Sequence, residues 1–385
     1  MREGWTYKKL GEVATLRNGF AFQSSLFRET GLPIVRISNI QNDKITTDFV
    51  YFDKNDYKEN LNKYEVNYGD ILIAMSGATT GKVGINKNIE VLYLNQRVGK
   101  FVPNENLKSR YLFYYLKQNA NISLSVAQGL AQPNLSTQQI NNFVLPVPPL
   151  PEQERIVSEL DLLSSIIEKK KAQLKEYDNL AQSIFYDMFG DPVTNEKGWE
   201  VKKLSDVSLE KLSYGSGASA IPYNESVRYI RITDINENGE LNEDMVSPNV
   251  YDEKYLLDEG DILFARSGAT VGKTYCHKSK YGKCMYAGYL IRLVPNKDIV
   301  EPSYVFGYTK TSYYMGFVQK AQNAVAQPNI NAKQYGSLLI CIPPLSLQQS
   351  FASKIEAIEQ QKALIQQSIT ETETLFNSRM DYYFN

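Results

Sequence analysis

Two stretches of the chain step through apolar positions at alternating intervals of four and three. The first runs Ile156, Leu160, Leu163, Ile167, Lys170, Leu174, Tyr177, Ala181, Ile184, Met188. The second runs Phe351, Ile355, Ile358, Lys362, Ile365, Ile369, Thr372, Phe376, Arg379, Tyr383. That rhythm belongs to helices that bury a seam against a partner helix. Each stretch predicts a helix of some 35 residues, roughly 50 Å long. Two seams of equal length in one chain are expected to pair with each other as an antiparallel coiled coil. Each seam holds one lysine, Lys170 and Lys362, which either snorkels to water or penalises wrong registers.

Ahead of each seam the pattern changes. Continuous apolar runs at Ile34–Ile37 and Ile71–Met75, and again at Tyr229–Ile232 and Ile262–Ala265, predict strands buried on both faces. Ser109–Gln118 and Ser303–Thr311 predict amphipathic helices. Tyr111, Tyr114 and Tyr115, with Tyr304, Tyr308, Tyr313 and Tyr314, fall at helical spacing and are expected to pack inward, stacking on DNA or bonding to phosphate being the alternative. Prolines 146, 148, 149 and 151, matched by Pro343 and Pro344, then mark a stiff hinge before each long helix.

The whole pattern is duplicated. GWTYKKLGEV at Gly4 recurs as GWEVKKLSDV at Gly198, and PIVRISNI at Pro33 as RYIRITDI at Arg228. GDILIAMSGATTGKVG at Gly69 recurs as GDILFARSGATVGKTY at Gly260. AQPNLS at Ala131 and VPPLPEQE at Val147 recur as AQPNIN at Ala326 and IPPLSLQQ at Ile342. The offset stays between 191 and 195 residues, which means duplicated domains and not a solenoid of short repeats. The expected architecture is α+β with a pseudo-two-fold internal repeat. Residues 1–150 and 191–346 form two mixed α/β domains. Residues 151–190 and 347–385 form the central and C-terminal helices that join them.

Composition narrows the function classes. No run reaches the ~18 uncharged apolar residues of a membrane span, and the N-terminal residues have no hydrophobic signal core. With three cysteines among 385 residues a disulfide framework is excluded, and a cytoplasmic protein is expected. Net charge is −1, unlike a simple basic nucleic-acid binder, but its distribution is uneven. Ile262–Lys297 carries seven basic residues and no acid, and Ile71–Asn104 four against one, so local positive surface is expected there.

These blocks together resemble the specificity subunit of type I restriction–modification enzymes. GWTYKKLGEV with NGFAF at Asn18, the GDILIAMSGATTGKVG block, AQPNLS, and PVPPLPEQERIV leading into the long helix carry the likeness. The second copy departs in two places, reading SYGSGAS at Ser213 and SLQQS after its prolines. The resemblance covers nearly the whole chain. It implies that each α/β domain is a target recognition domain reading a few base pairs of double-stranded DNA. The two half-sites would be separated by a spacer set by the helices. It also implies two modification subunits supplying adenine-N6 methylation with S-adenosylmethionine, and restriction subunits using ATP and Mg. No cofactor is implied for this chain.

Candidate contacts follow from residue chemistry. The turns Ser76–Lys82 and Ser267–Lys273 fail as nucleotide-binding loops. Three residues, not four, separate Gly268 from Gly272, and Val83 follows Lys82 where a hydroxyl residue is required. A Gly- and Thr-rich turn after a strand can instead meet a DNA phosphate, through Ser76, Thr79, Thr80 and Lys82, and through Ser267, Thr270 and Lys273. A purely structural turn is the alternative. Base reading calls for paired donors and acceptors. Arg36, Ser38, Asn39 and Gln41, their counterparts Arg231, Thr233, Asp234 and Asn236, and Arg97 beside Asn95 and Gln96 qualify; Arg266 flanks the second turn. Differences such as Asn39 against Asp234 predict an asymmetric target. Cys276, His277, Cys284 and Cys341 lack the spacing of a zinc site and have no counterparts in the first copy. Asp191, Glu196 and Lys197 do not fit a nuclease constellation, and the single histidine leaves no triad. A self-sufficient methyltransferase or nuclease would need a catalytic set absent from the sequence, so a non-catalytic recognition subunit is expected.

Overall fold

The computed structural model describes residues 4–41, 43–119, 135–323 and 329–385. Residues 131–134 and 326–328 of the two AQPN blocks lie outside the described residues. The chain divides into two compact units, Met1–Lys169 with Ile369–Asn385, and Lys170–Ser368.

In the first unit, Ile71–Ala74 lies at the centre of an antiparallel sheet between Val98–Pro103 and Val83–Ile85. Ala14–Asn18 flanks Val98–Pro103 on the far side. Alternate residues of this strand enter different cores. Ile71 and Ile73 pack toward the helices, while Leu72 and Ala74 pack into a second cluster with Val35, Leu92 and Val98. Burial on both faces is why ILIA is apolar without alternation. A second sheet places Leu32–Val35 parallel to Leu92–Leu94, with Ile34 opposite Tyr93. The strand expected over Ile34–Ile37 starts and ends earlier, because Ile37–Asn39 coils into a 3-10 turn.

The second unit repeats this plan. Ile262–Ala265 pairs with Leu290–Leu293 and Thr274–Cys276, and Ser213–Tyr214 lies beyond. Arg228–Ile230 runs parallel to Cys284–Tyr286, and another 3-10 turn, Ile232–Asp234, follows. Its aromatic helix spans only Pro302–Tyr308; the chain turns at Thr309–Thr311 and re-enters helix at Ser312.

The aromatic helices form a repeated internal lattice. Tyr111 and Tyr115 donate to the carbonyls of Pro146 (3.0 Å) and Val144 (2.9 Å). Tyr304 and Tyr308 donate in the same way to Cys341 (2.7 Å) and Leu339 (3.2 Å). These tyrosines are buried, as core packing requires, and each hydroxyl end finds a partner.

The long helices extend over Leu150–Phe189 and Leu345–Phe384. Within each unit their segments run antiparallel. In the first, Tyr383 bonds Arg155 and Glu159, and Arg379 pairs with Glu159 at 2.9 Å. In the second, Lys170 donates to Ser368, Asp178 meets Lys362 at 2.8 Å, and Phe185 packs on Phe351. Neither seam lysine snorkels: both reach a group on the opposite helix.

Ile156, Leu160, Phe351, Ile358 and Ile369 are buried, while Leu163, Ile167, Leu174, Ile355 and Ile365 are half-buried. The seam moves at the helix ends. Phe185 and Phe189 are buried where Ile184 and Met188 were expected, and Met380 and Phe384 join Tyr383 in place of Arg379. There each helix meets the α/β domain as well as its partner, so the apolar stripe widens.

A buried glutamine anchors each helix start. Gln153 donates to the carbonyls of Asn106 and Pro148, both at 2.9 Å, and accepts from Lys108 N–H. Gln348 repeats this with Ile299 (3.1 Å), Pro343 (2.8 Å) and Glu301 N–H (2.9 Å).

Candidate nucleic-acid interface

Both Gly-rich turns have the same backbone. In the first, Gly81 N–H donates to Ala74 O and Ala74 N–H to Lys82 O, closing a hairpin over the 3-10 turn Gly77–Thr79. In the second, Gly272 and Ala265 with Lys273 make the same pair over Gly268–Thr270. The glycines adopt positive φ: Gly77 80°, Gly81 83°, Gly268 68° and Gly272 89°. That conformation is costly for other residues, which explains the shared SGAT–GK spelling. A Cβ on Gly272 would also stand 2.6 Å from Val318.

Three neighbouring positions complete a crown around each turn. The residue preceding the serine shared by both turns is Met75 in the first domain and Arg266 in the second. The turn into the next strand offers Arg97 or Tyr289, whose carbonyls accept from Met75 N–H (3.0 Å) and Arg266 N–H (3.1 Å). The outer strand ends in Asn18 or Tyr214, by register opposite Gly99 and Ile291. Asn18 bonds Thr137, and the Tyr214 hydroxyl accepts from Ala332 N–H at 3.1 Å. In the second domain Asn329 closes the ring, bridging to Ser267 and accepting from Arg266 Nε at 3.4 Å.

Several residues expected to face DNA have their polar groups engaged inside the protein. Asn39, 1% exposed, accepts from Arg36 N–H at 2.8 Å and donates to Asp48 O at 2.7 Å. Asp234 caps the equivalent turn and grips Arg231, with Nη2 to Oδ1 at 2.7 Å. Both side chains tie down a 3-10 turn, so their difference is structural. Gln41 donates to Ser38 O, and Asn236 bonds Glu240. Thr80, 1% exposed, donates to Gly77 O at 2.7 Å, and Val271 replaces it in the second copy. Ser76 Oγ and Arg36 Nε are buried without a hydrogen-bond partner. Thr79 and Thr270 donate to local carbonyls, of Ile37 and Ser267. Ser38, Thr233, Lys82 and Arg97 are exposed, and Ser267 is half-buried.

Charge is redistributed as well. Three of the seven basic residues in the acid-free run of the second copy pair with acids from outside it. Lys273 pairs with Glu237 at 2.9 Å, Arg292 with Asp261 at 2.6 Å and Asp258 at 3.2 Å, and Lys278 with Glu359 at 3.4 Å. Burial still pushes the Asp261 carboxyl up, against the pull of Asp258 N–H and Arg292. Near Lys273, burial draws the Lys310 ammonium down to about 8 despite Glu237, Asp178 and Glu240. Among the described residues Lys82 has no comparable ion pair, so the two motif lysines are not equivalent.

Sequence reasoning passed over Asn18, Tyr214, Tyr289 and Asn329. Asn18, Tyr214 and Asn329 lie within blocks already singled out (NGFAF, its divergent counterpart SYGSGAS, and the repeat AQPNIN), so the signal was present without a spatial reason to weigh it. Among the described residues no three His, Cys, Asp or Glu side chains converge as a metal site would require. No described helix is long and apolar enough to cross a membrane.

Residues 2–176 and 196–374 match the family described as type I restriction modification DNA specificity domain. The chain belongs to this family. It is 23% identical over 385 residues to the type I restriction enzyme EcoKI specificity subunit of Escherichia coli (strain K12), covering 92% of this chain and 82% of that protein. Identity is also 23%, over 406 residues, to the StySPI specificity subunit of Salmonella potsdam, covering 98% and 86%. The fold matches the crystal structure of the S subunit from M. genitalium, with TM-score 0.60, 14% identity and coverage of 99% and 96%. A structure from a study of type I R-M complex assembly and conformational transition gives 0.57, 18%, 99% and 97%. The role of the family is target recognition, distinct from the catalytic work of the enzyme.

Proposed function

We propose that each α/β domain applies its crown to one half of a bipartite, asymmetric duplex target, within a complex whose chemistry resides on other subunits. The observation that carries this is the pair of crowns. One backbone is built twice, with Ser, Thr and Lys retained at the turn and different side chains around it. Retained lysines suit phosphates, which are alike in every sequence; variable side chains suit base edges, which are not. Aromatic helices pack the domains onto the long helices. Modification subunits, two per chain, dock to this framework, bringing S-adenosylmethionine; restriction subunits bring ATP and Mg. The chain itself uses no cofactor, and its place of work is the cytoplasm.

The test uses the chain purified with its modification subunits. Methylated adenines in the source genome define the motif, and gel shifts with cognate and scrambled duplexes measure preference. Tight binding to the cognate duplex, with methylation lost when this chain is omitted, is expected. Methylation or cleavage by the isolated chain would overturn the assignment.

A further inference from the structure

The two domains form an internal alignment of one backbone against itself. Phosphates present the same chemistry at both half-sites, so a phosphate-binding position has no reason to change between the copies. A base-reading position does. Ser76/Ser267, Thr79/Thr270 and Lys82/Lys273 are unchanged, whereas Met75/Arg266, Arg97/Tyr289 and Asn18/Tyr214 change.

Among the changed positions Arg266 is built for a particular task. Four arginines occur in residues 191–346, and three have their guanidinium groups engaged. Arg228 is 6% exposed and donates from Nη2 to Asn242 O at 2.6 Å. Arg231 is held by Asp234 and Asp244, and Arg292 by Asp258 and Asp261. Arg266 has no carboxylate partner among the described residues. Its guanidinium lies 4.8 Å from the Tyr214 ring centroid, and Nε donates to Asn329 Oδ1 at 3.4 Å. The Tyr214 hydroxyl is itself held by Ala332 N–H.

This support restricts the plane and leaves Nη1 and Nη2 with no acceptor among the described residues. A buttressed planar fork with paired donors matches two adjacent in-plane acceptors, the arrangement of O6 and N7 on guanine in the major groove. A phosphate needs no such fixed plane, and the lysine retained at each turn has the point charge that a phosphate takes. Met75 and Asn18 replace both Arg266 and its supporting ring in the first domain, so the device belongs to one half-site only.

We propose that Arg266, held by Tyr214 and Asn329, reads a guanine in the half-site recognised by the second domain. The inference rests on the crowns facing DNA, as proposed above.

The experiment maps methylated adenines in cells expressing the complete complex with wild-type chain, Arg266→Gln or Arg266→Lys. Binding of each purified complex is then compared on duplexes varied at every guanine of the motif. One guanine in one half-site should relax in both variants, its preference falling about ten- to a hundredfold. Arg266→Gln should shift that position toward adenine, and the other half-site should stay unchanged. Arg266→Lys keeps the charge, so binding to non-cognate DNA and its salt dependence should hold. A wild-type motif with no G·C pair in either half for Arg266 to read, or an unaltered guanine in both variants, overturns the inference. Equal weakening on all sequences with a shallower salt dependence also overturns it, while leaving the crown on DNA as a phosphate contact. If neither variant changes motif, affinity or salt dependence, the crown does not face DNA and the underlying proposal fails too.

Discussion

Replacing Gln348 with leucine should destabilise the second unit by roughly 3–5 kcal/mol. Leucine preserves most of the volume but removes one acceptor and two donors at once. Three backbone groups are orphaned: Glu301 N–H, Ile299 O and Pro343 O. The bond to Pro343 is buried and those to Glu301 and Ile299 are partly buried. An orphaned buried group costs about 1–3 kcal/mol; the upper value applies to Pro343, and about 1 kcal/mol to each group that water can reach. For a unit of this size, 1 kcal/mol moves the midpoint by roughly 2–4 °C, so a fall on the order of 10 °C is expected. The chain has two tryptophans, and they report separately: Trp5 packs on the core of the first unit and Trp199 on that of the second. In a Trp5→Phe background, fluorescence follows Trp199 alone, avoiding a single midpoint for a two-unit protein. A Trp199 midpoint within 2 °C of the parent would refute the idea that this glutamine anchors the helix start. Gln153→Leu, followed through Trp5 in a Trp199→Phe background, should behave alike.

Lys362 sits among Asp178, Glu240 and Glu359 with its side chain 13% exposed, so Lys362→Met should cost about 1–3 kcal/mol, discounted because its partners are partly solvated. Burial pushes the Glu240 carboxyl up, but Asn236 and Lys362 pull it further down, leaving it below its ordinary value. Its stabilising share is therefore present above the usual glutamate range and lost as pH falls through its lowered folded value. Glu240→Gln should flatten the acid limb of the Trp199 melting profile; an unaltered limb would count against this pairing. Lys82→Ala should weaken binding to all duplexes alike and reduce the salt slope by about one, whereas Lys273→Ala, already paired with Glu237, should do less. A base-selective loss for Lys82→Ala would assign it to reading. Deleting Leu163–Lys169 with the antiparallel stretch Ile369–Leu375 should alter the spacer between half-sites in the methylation motif and leave both half-site sequences intact; an altered half-site would break the proposed division of labour.

Local pattern carried most of the architecture. The duplication, the two-faced strands ILIA and ILFA, the aromatic helices and the two seams all follow from side chains a few residues apart, because strand and helix periodicities are short-range properties. The polar chemistry did not follow in that way. Whether a donor is available to DNA depends on a partner far along the chain, and only the folded arrangement supplies it. Lys273 loses its freedom to Glu237, 36 residues away, and Arg266 gains its support from Tyr214 and Asn329, 52 and 63 residues away. Asn39, Asp234 and Thr80 have the composition of a reading surface, yet the 3-10 turns and hairpin draw them inward. The seam shift toward Phe185, Phe189 and Met380 has the same origin. A helix end with two neighbours buries a wider face than heptad spacing alone describes.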